Sequence, residues 1–280
     1  MKLLRYGPAG SEKPGLMADD GTIRDLSGMV DDIGGAAISP EGLERLRAIA
    51  PDSLPVVDGN SRLGPCVAGL QKIICIGLNY SDHAAETGAV PPPEPIIFAK
   101  ALNALCGPND DVEMPRGSEA LDWEVELAVI IGTRAKYVSE ADAMDHVAGF
   151  AIMNDVSERD FQAKRQGQWT KGKSHDTFGP LGPWLVTRNE IADPHKLDMW
   201  LDVNGERRQT GNTDTLIFNV PHVVSYLSQF MTLMPGDVIS TGTPPGVGMG
   251  MKPPQYLKPG DVMTLSIAGL GQQRQTVVAA

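Results

Sequence analysis

In the stretch LDWEVELAVI, residues 121–130, three carboxylates stand at alternate positions: Asp122, Glu124 and Glu126. Side chains alternate between the two faces of a strand, so a strand here puts all three acids on one face. Trp123, Val125, Leu127 and Val129 then share the other. Charges two residues apart lie about 7 Å from each other along a strand. At an effective dielectric of about 20, each adjacent pair repels by about 2 kcal/mol. The flanking Val129-Ile130-Ile131 is continuously apolar, which marks a strand buried on both faces rather than a solvated edge. A second acid, Asp155, follows the apolar run Ala151-Ile152-Met153 and Asn154. Carboxylates gathered in a partly buried place are stabilised by a hard divalent cation, for which oxygen is the matching ligand. No His or Cys stands among them at zinc spacing, so the pattern predicts Mg2+, Mn2+ or Ca2+ rather than Zn2+. Three carboxylates on an octahedral ion leave about three positions open. That suits a substrate chelating through two oxygens, such as a 2-oxo acid or its enolate, with Lewis-acid activation of a carbonyl as the chemistry.

Other chemical groups surround this centre in sequence. His83 and Glu86, in SDHAAE, are three residues apart and share one face of a short helix. A carboxylate-oriented imidazole is suited to act as a general base on water. Gly88 and the rigid turn through Pro91, Pro92, Pro93 and Pro95 flank this helix, which suits a lid. Arg159, Gln162, Lys171 and Lys173 supply cations and an amide after Asp155. Lys164-Arg165 reads as an exposed basic face, whereas Lys173 lies in a Gly-rich stretch from which a side chain can reach a cleft. Residues Gly167 to Ser174 match the phosphate-loop pattern GxxxxGK[ST]. That pattern works only between a buried strand and a helix N-terminus. DFQAKRQ before it and HDTFGPLGP after it provide neither, and nucleotide binding is set aside. GTPPGVGMG, residues 242–250, reads as a ligand-lining loop.

The elements that must position these groups are mostly short. Residues 1–66 form a small N-terminal module, with strands at KLLRY and TIRDL and an amphipathic helix at about 40–49. QKIICIGL and PPPEPIIFAK each contain a strand, and SEADAMDHVAGF reads as a helix capped by Ser139. From residue 184 onward strand-like segments dominate, interrupted by the helix NVPHVVSYLSQF. The twin turns MPGDV, residues 234–238, and KPGDV, residues 258–262, each precede a strand. Without parallel βαβ alternation in the last hundred residues, the pattern predicts an α+β fold built on a curled, mixed β-roll, with the catalytic domain over residues 70–280.

Bulk properties narrow the partners. The 280 residues carry 24 basic and 35 acidic groups, a net charge of −11, which argues against nucleic acid or an anionic membrane. No apolar run approaches a membrane span and no signal peptide is apparent. Cys66, Cys75 and Cys106 fit no zinc or redox spacing. The expectation is a reduced, cytoplasmic protein, and the sequon at Asn79 is accidental.

Taken in order, IGLNYSDHAAE, DWEVELAVIIG, NDVSERDFQ, KGKSHDTFGPLGPW, VNGERRQTGNT and PGDVISTGTPPGVG resemble the fumarylacetoacetate hydrolase family over roughly residues 70–270. The resemblance implies a mixed β-roll, a homodimer, and Mg2+ or Mn2+ chemistry on 2-oxo or β-diketo acids. It places the metal ligands at Glu124, Glu126 and Asp155, leaving Asp122 a bystander. It places the catalytic groups at His83, Glu86 and Lys173, and the substrate-binding groups at Arg159, Gln162 and Thr243. Asn79 stands where longer fumarylacetoacetases carry a further metal-binding aspartate, which puts this chain with the shorter bacterial relatives. The activity implied is hydrolysis of a carbon–carbon bond in an acylpyruvate-type acid. A 2,4-diketo-3-deoxy sugar acid is the expected substrate, because Gly-rich, polar pocket loops suit hydroxyl groups better than an aromatic ring. The alternatives are a ureidoglycolate lyase and an oxaloacetate-type decarboxylase.

Overall fold

The computed structural model describes residues 1–280, the side chain of Thr87 excepted. The chain opens with β1 (Lys2–Tyr6), β2 (Lys13–Met17) and β3 (Ile23–Asp25), followed by helix α1 (Pro40–Arg47). Then come β4 (Ile73–Gly77), α2 (Ser81–Thr87), β5 (Ile96–Lys100), β6 (Leu105–Cys106) and β7 (Val112–Met114). The acidic segment supplies β8 (Leu121–Asp122) and β9 (Val125–Ile131), and β10 (Val147–Asn154) and β11 (Ser157–Glu158) follow. Two short helices, α3 (Arg159–Ala163) and α4 (Thr170–Lys173), precede β12 (Gly179–Thr187), β13 (Asp198–Val203) and β14 (Glu206–Asn212). Helix α5 (Val220–Phe230) and strands β15 (Val238–Ser240), β16 (Val262–Ile267) and β17 (Gly271–Ala279) complete the chain.

The strands form a large mixed sheet in the order β3-β2-β1-β12-β10-β9-β15-β4-β5, with β6 beside β12, and a second sheet in the order β14-β13-β16-β17-β7. Both sheets are open, so the architecture is α+β with mixed, curled sheets and no closed barrel. Strand β9 lies at the centre of the large sheet, and all seven of its residues are buried. Leu127, Val129 and Ile131 face a core shared with Leu201, Leu265 and the α5 stripe Val220, Val223, Val224 and Leu227. Ala128 and Ile130 face the other core, filled by Leu3, Ile38, Leu43 and Leu46 from the first residues of the chain. That two-sided burial explains the continuous apolar texture of the strand. The first 66 residues thus extend one edge of the large sheet through the pairing of β1 with β12 and cover one of its faces.

Two sequence expectations change. Residues 139–150 are not one helix: a single 3-10 turn, Ala143–His146, leads into β10. Ser139 does cap Asp142, but Phe150 pairs with Val129 and Ile152 with Leu127. A Cβ on Gly149 would lie 2.0 Å from the Val186 carbonyl. Tertiary pairing of an apolar segment overrides its helical periodicity. The acidic stretch 121–131 is likewise not one strand. It breaks at Trp123-Glu124, with β8 pairing to β11 and β9 to β10.

The twin PGDV turns use one device. Gly236 and Gly260 sit at φ +92° and +96°, the left-handed conformation that a type II turn requires of its third residue. Asp237 and Asp261 accept hydrogen bonds from Met234 and Lys258 nitrogens, both at 2.8 Å. Asn79 is fully buried, with its side chain donating to the Phe218 and Thr241 carbonyls, so the sequon there serves packing.

Candidate active site

The candidate centre grows from the register of β9 and β10. Val125 pairs with Asn154 and Glu126 with Met153, so Glu124 and Asp155 are opposed one step further out, joined by the Asp155 N–H donating to the Glu124 carbonyl at 2.9 Å. By alternation, Glu126 continues the face that Ala128 and Ile130 present to the N-terminal residues. Glu124, Glu126 and Asp155 therefore meet at one end of the sheet, buried, each offering an oxygen within 4.8 Å of the others.

Basic groups close around them. Lys173 Nζ donates to Glu124 Oε2 and Asp155 Oδ2, both at 2.7 Å. Lys100, at the end of β5, donates to Asp155 Oδ1. Arg159 donates through Nη2 to Glu124 at 2.7 Å, through Nε to Asp122 at 2.8 Å, and through Nη1 to Gln162 at 3.1 Å. Lys173 reaches the centre because α4 lies directly on α3: a Cβ on Gly172 would fall 2.3 Å from the Glu158 carbonyl. That close approach, rather than phosphate binding, explains the GKS pattern. The motif follows an exposed loop, and its only helix is the four residues of α4.

Glu126 differs from its neighbours. It accepts from Ser240 Oγ and from the Gly242 N–H at 2.9 Å, and among the described residues no salt bridge reaches it. Burial, together with the Asp155 and Glu124 carboxylates, pushes its pKa well above the ordinary range. Burial also works against ionisation of Glu124, but Arg159 and Lys173 outweigh it and hold that carboxyl well below its usual value. Lys173 is kept protonated against its own burial by Asp155 and Glu124. Four buried carboxylates, counting Asp122, meet three buried cations here. The donor set of hard oxygens, with one acid lacking a cation partner, fits a divalent cation.

Asp122 is no bystander. It is fully buried and accepts from Arg159, from its neighbour Trp123 N–H, and from the N–H groups of Gly248 and Met249 at 2.7 and 3.0 Å. It ties the Gly-rich loop to Arg159.

Glu124 and Glu126 open on a cavity of about 260 Å³ also lined by His83, Arg159, Gln162, Lys173 and Thr243. His83 Nδ1 lies 3.1 Å from Glu86 Oε2, and Glu86 in turn accepts from the Gly246 N–H. Thr243 donates to the Val125 carbonyl and accepts from Gln209. Every site residue expected from sequence except Glu86 and Asp155 lines this cavity, and those two touch residues that do. The rest of the lining was not anticipated. Phe98, Trp169, Ile96 and Met249 make much of it apolar, whereas the Gly-rich loops suggest a polar pocket. Lys100 was also missed; its only signal is a lysine ending an apolar strand.

Residues 72–278 match the family model described as fumarylacetoacetate hydrolase, C-terminal. The chain belongs to the fumarylacetoacetate hydrolase family. A Burkholderia ambifaria relative, named only provisionally as a hydrolase, is 59% identical over 99% of this chain and 98% of its own length. Among solved structures, a fumarylacetoacetate hydrolase from Exiguobacterium antarcticum is 36% identical, with a TM-score of 0.85 and both chains covered fully. A maleylpyruvate hydrolase from a Sphingobium strain, solved with manganese(II) and pyruvate, is 31% identical over the whole of both chains with a TM-score of 0.83. A 2-hydroxyhepta-2,4-diene-1,7-dioate isomerase from Mycobacterium marinum is 33% identical over 100% of this chain and 98% of its own, with a TM-score of 0.75. The family scaffold thus carries both hydrolases and isomerases, and this chain is an enzyme of that family. Among the described residues no helix is long and apolar enough to cross a membrane.

Proposed function

We propose that this enzyme is a divalent-metal-dependent hydrolase that cleaves a carbon–carbon bond in an acylpyruvate-type β-diketo acid. The observation that carries the reading is one cavity lined by Glu124 and Glu126 of the acidic trio, with Asp155 directly behind them, and by a carboxylate-oriented histidine. The manganese and pyruvate in the related maleylpyruvate hydrolase support it. Glu124, Glu126 and Asp155 would hold Mg2+ or Mn2+, which when bound supplies Lewis-acid polarisation of a chelated 2-oxo acid.

The chain's own residues do the rest. Arg159 and Gln162, already bonded to each other, present donors to the substrate carboxylate. Glu86 fixes the His83 ring through Nδ1, and His83 takes a proton from water. The water oxygen adds to the distal carbonyl carbon. The bond from that carbon to the adjacent methylene then breaks, and its electron pair leaves on the pyruvate fragment, which takes up a proton. Lys173 stabilises the charge that develops on that fragment. The products are a carboxylic acid and pyruvate.

The test uses metal-stripped enzyme and acetylpyruvate, with and without added Mg2+ or Mn2+, following loss of the enol absorbance and release of pyruvate. Metal-dependent loss with stoichiometric pyruvate is expected. No loss under any condition refutes hydrolysis and moves the reading to isomerase, lyase or decarboxylase chemistry, which needs no positioned water.

A further inference from the structure

One wall of the cavity has no role in the reaction just described. It starts beside the charged centre, where Lys173 Nζ lies 5.1 Å from the centroid of the Phe98 ring. Phe98 meets Trp169 edge to face, with centroids 5.2 Å apart and planes at 63°. Trp169 lies against Gly77 so closely that a Cβ there would fall 2.6 Å from the indole, and Ile96 flanks the same point at 3.5 Å. The sequence 163–170 is otherwise exposed, yet Trp169 folds inward to line the cavity. An aromatic ring drawn out of an exposed loop, with a glycine opposite to admit it, makes a built surface rather than core packing.

We propose that Trp169, Phe98 and Ile96 seat the acyl group, and that the enzyme selects a planar unsaturated or aromatic acyl group over a hydroxylated one. This rests on the oxo-acid end being held at the acidic trio, as in the function proposed above. Arg159 and Lys173 bond to that trio and Gln162 to Arg159, and Phe98 lies beside Lys173, so the Phe98–Trp169 wall is next to a substrate anchored there and is proposed to receive its acyl group. Hydroxyl groups set against these rings lose water and gain no partner, whereas a flat conjugated group meets ring faces and edges in favourable geometry. A cavity of about 260 Å³ lies below the range of about 300–1,000 Å³ for drug-sized ligands, which confines the choice to small acyl groups. The expected sugar-acid substrate is thereby disfavoured.

The experiment compares kcat/KM of the Mn2+-loaded enzyme for benzoylpyruvate, acetylpyruvate and an acylpyruvate with a dihydroxylated acyl chain. In parallel, calorimetry measures binding of phenylpyruvate and pyruvate, neither of which can be cleaved. Benzoylpyruvate should exceed both competitors by at least about tenfold. Trp169→Ala should lower its kcat/KM about tenfold through KM, change acetylpyruvate less than about threefold, and Trp169→Phe should restore most of the loss. Phenylpyruvate should bind at least about tenfold tighter than pyruvate. Equal or better use of the hydroxylated substrate, or a uniform effect of Trp169→Ala on all three, overturns the acyl seat while leaving hydrolysis standing. Absence of turnover with a phenylpyruvate preference that Trp169→Ala abolishes refutes the hydrolytic reading and upholds the seat. No turnover and no preference refutes both.

Discussion

Two clusters of charged residues lie in this molecule, and only one opens on a cavity fit for chemistry. Near the N-terminus, Arg5 grips Asp32 with two nitrogens, at 2.7 and 3.0 Å, and Arg62 grips Asp110 in the same two-pronged way. Glu12 bridges the two arginines. Every carboxylate there has a guanidinium partner, and the planar forks hold fixed geometry. At the candidate active site two of the three cations are lysines, compact ammonium groups rather than forks. Glu126 has no cation partner among the described residues, and its ionisation is disfavoured. Dense charge alone therefore does not mark a site. What separates the clusters is a buried acid without a cation partner beside an open cavity.

Breaking each cluster should produce opposite kinds of damage. The largest effect is expected from Glu126→Gln: turnover should fall about 10³-fold, from several kcal/mol of lost Lewis-acid stabilisation at about 1.4 kcal/mol per tenfold. The melting temperature of the metal-stripped protein should rise, because folding no longer has to bury an acid whose ionisation the site disfavours. Calorimetric Mn2+ affinity unchanged from the parent would remove Glu126 from the metal site. Next comes His83→Ala, with an expected loss of about 10²–10⁴-fold in kcat and Mn2+ affinity retained; undiminished hydrolysis would take His83 out of the mechanism. Asp122→Asn leaves one oxygen to accept what two now accept, from Arg159, Trp123, Gly248 and Met249. An unpaired buried group costs about 1–3 kcal/mol, and KM should rise about tenfold. A KM within twofold of the parent would return Asp122 to the bystander role.

The smallest effect on activity is expected at the other cluster. Arg62→Ala should cost about 1–2 kcal/mol of stability, as a partly exposed pair does, with kcat within twofold. Burial opposes ionisation of Glu12, but hydrogen bonds from its own backbone and from Arg62 bring its pKa below 4.5. A carboxyl lowered in the folded state stabilises it above the unfolded pKa, and that contribution is lost as pH falls through the folded one. The variant should therefore lose less stability on acidification than the parent, measured by urea unfolding between pH 6 and 3. An identical acid slope in both proteins would rule out this coupling.

How much of the site was legible depended on how local each signal was. Strand alternation and an apolar flank make the charges of Asp122, Glu124 and Glu126 conspicuous, and the family resemblance selects Glu124, Glu126 and Asp155 as the ligand set. His83 and Glu86 could be found because helical spacing placed them together. The family resemblance leaves Asp122 a bystander, and its bonds to Arg159 and the Gly-rich loop follow from a break at Trp123-Glu124 that is decided by β8 pairing with β11 instead of β10. Residues 139–150 misled for a related reason. Helical periodicity was present, but the hydrogen bonds of β9 and β12 claimed the second half.

The sequence by itself determined the chemistry that this chain offers: hard oxygen ligands, an oriented imidazole, cations nearby and turn residues that suit curled sheets. These depend on residue type and on spacings of two to four, which the geometry of a single strand or helix settles. Only the tertiary structure decided which acid lacks a cation, that Lys100 reaches Asp155, and that Trp169 turns inward over Gly77. Those contacts join residues from 18 to 116 positions apart. No local periodicity encodes them, because they arise when separate segments compete to bury apolar surface and to satisfy buried polar groups at the same time.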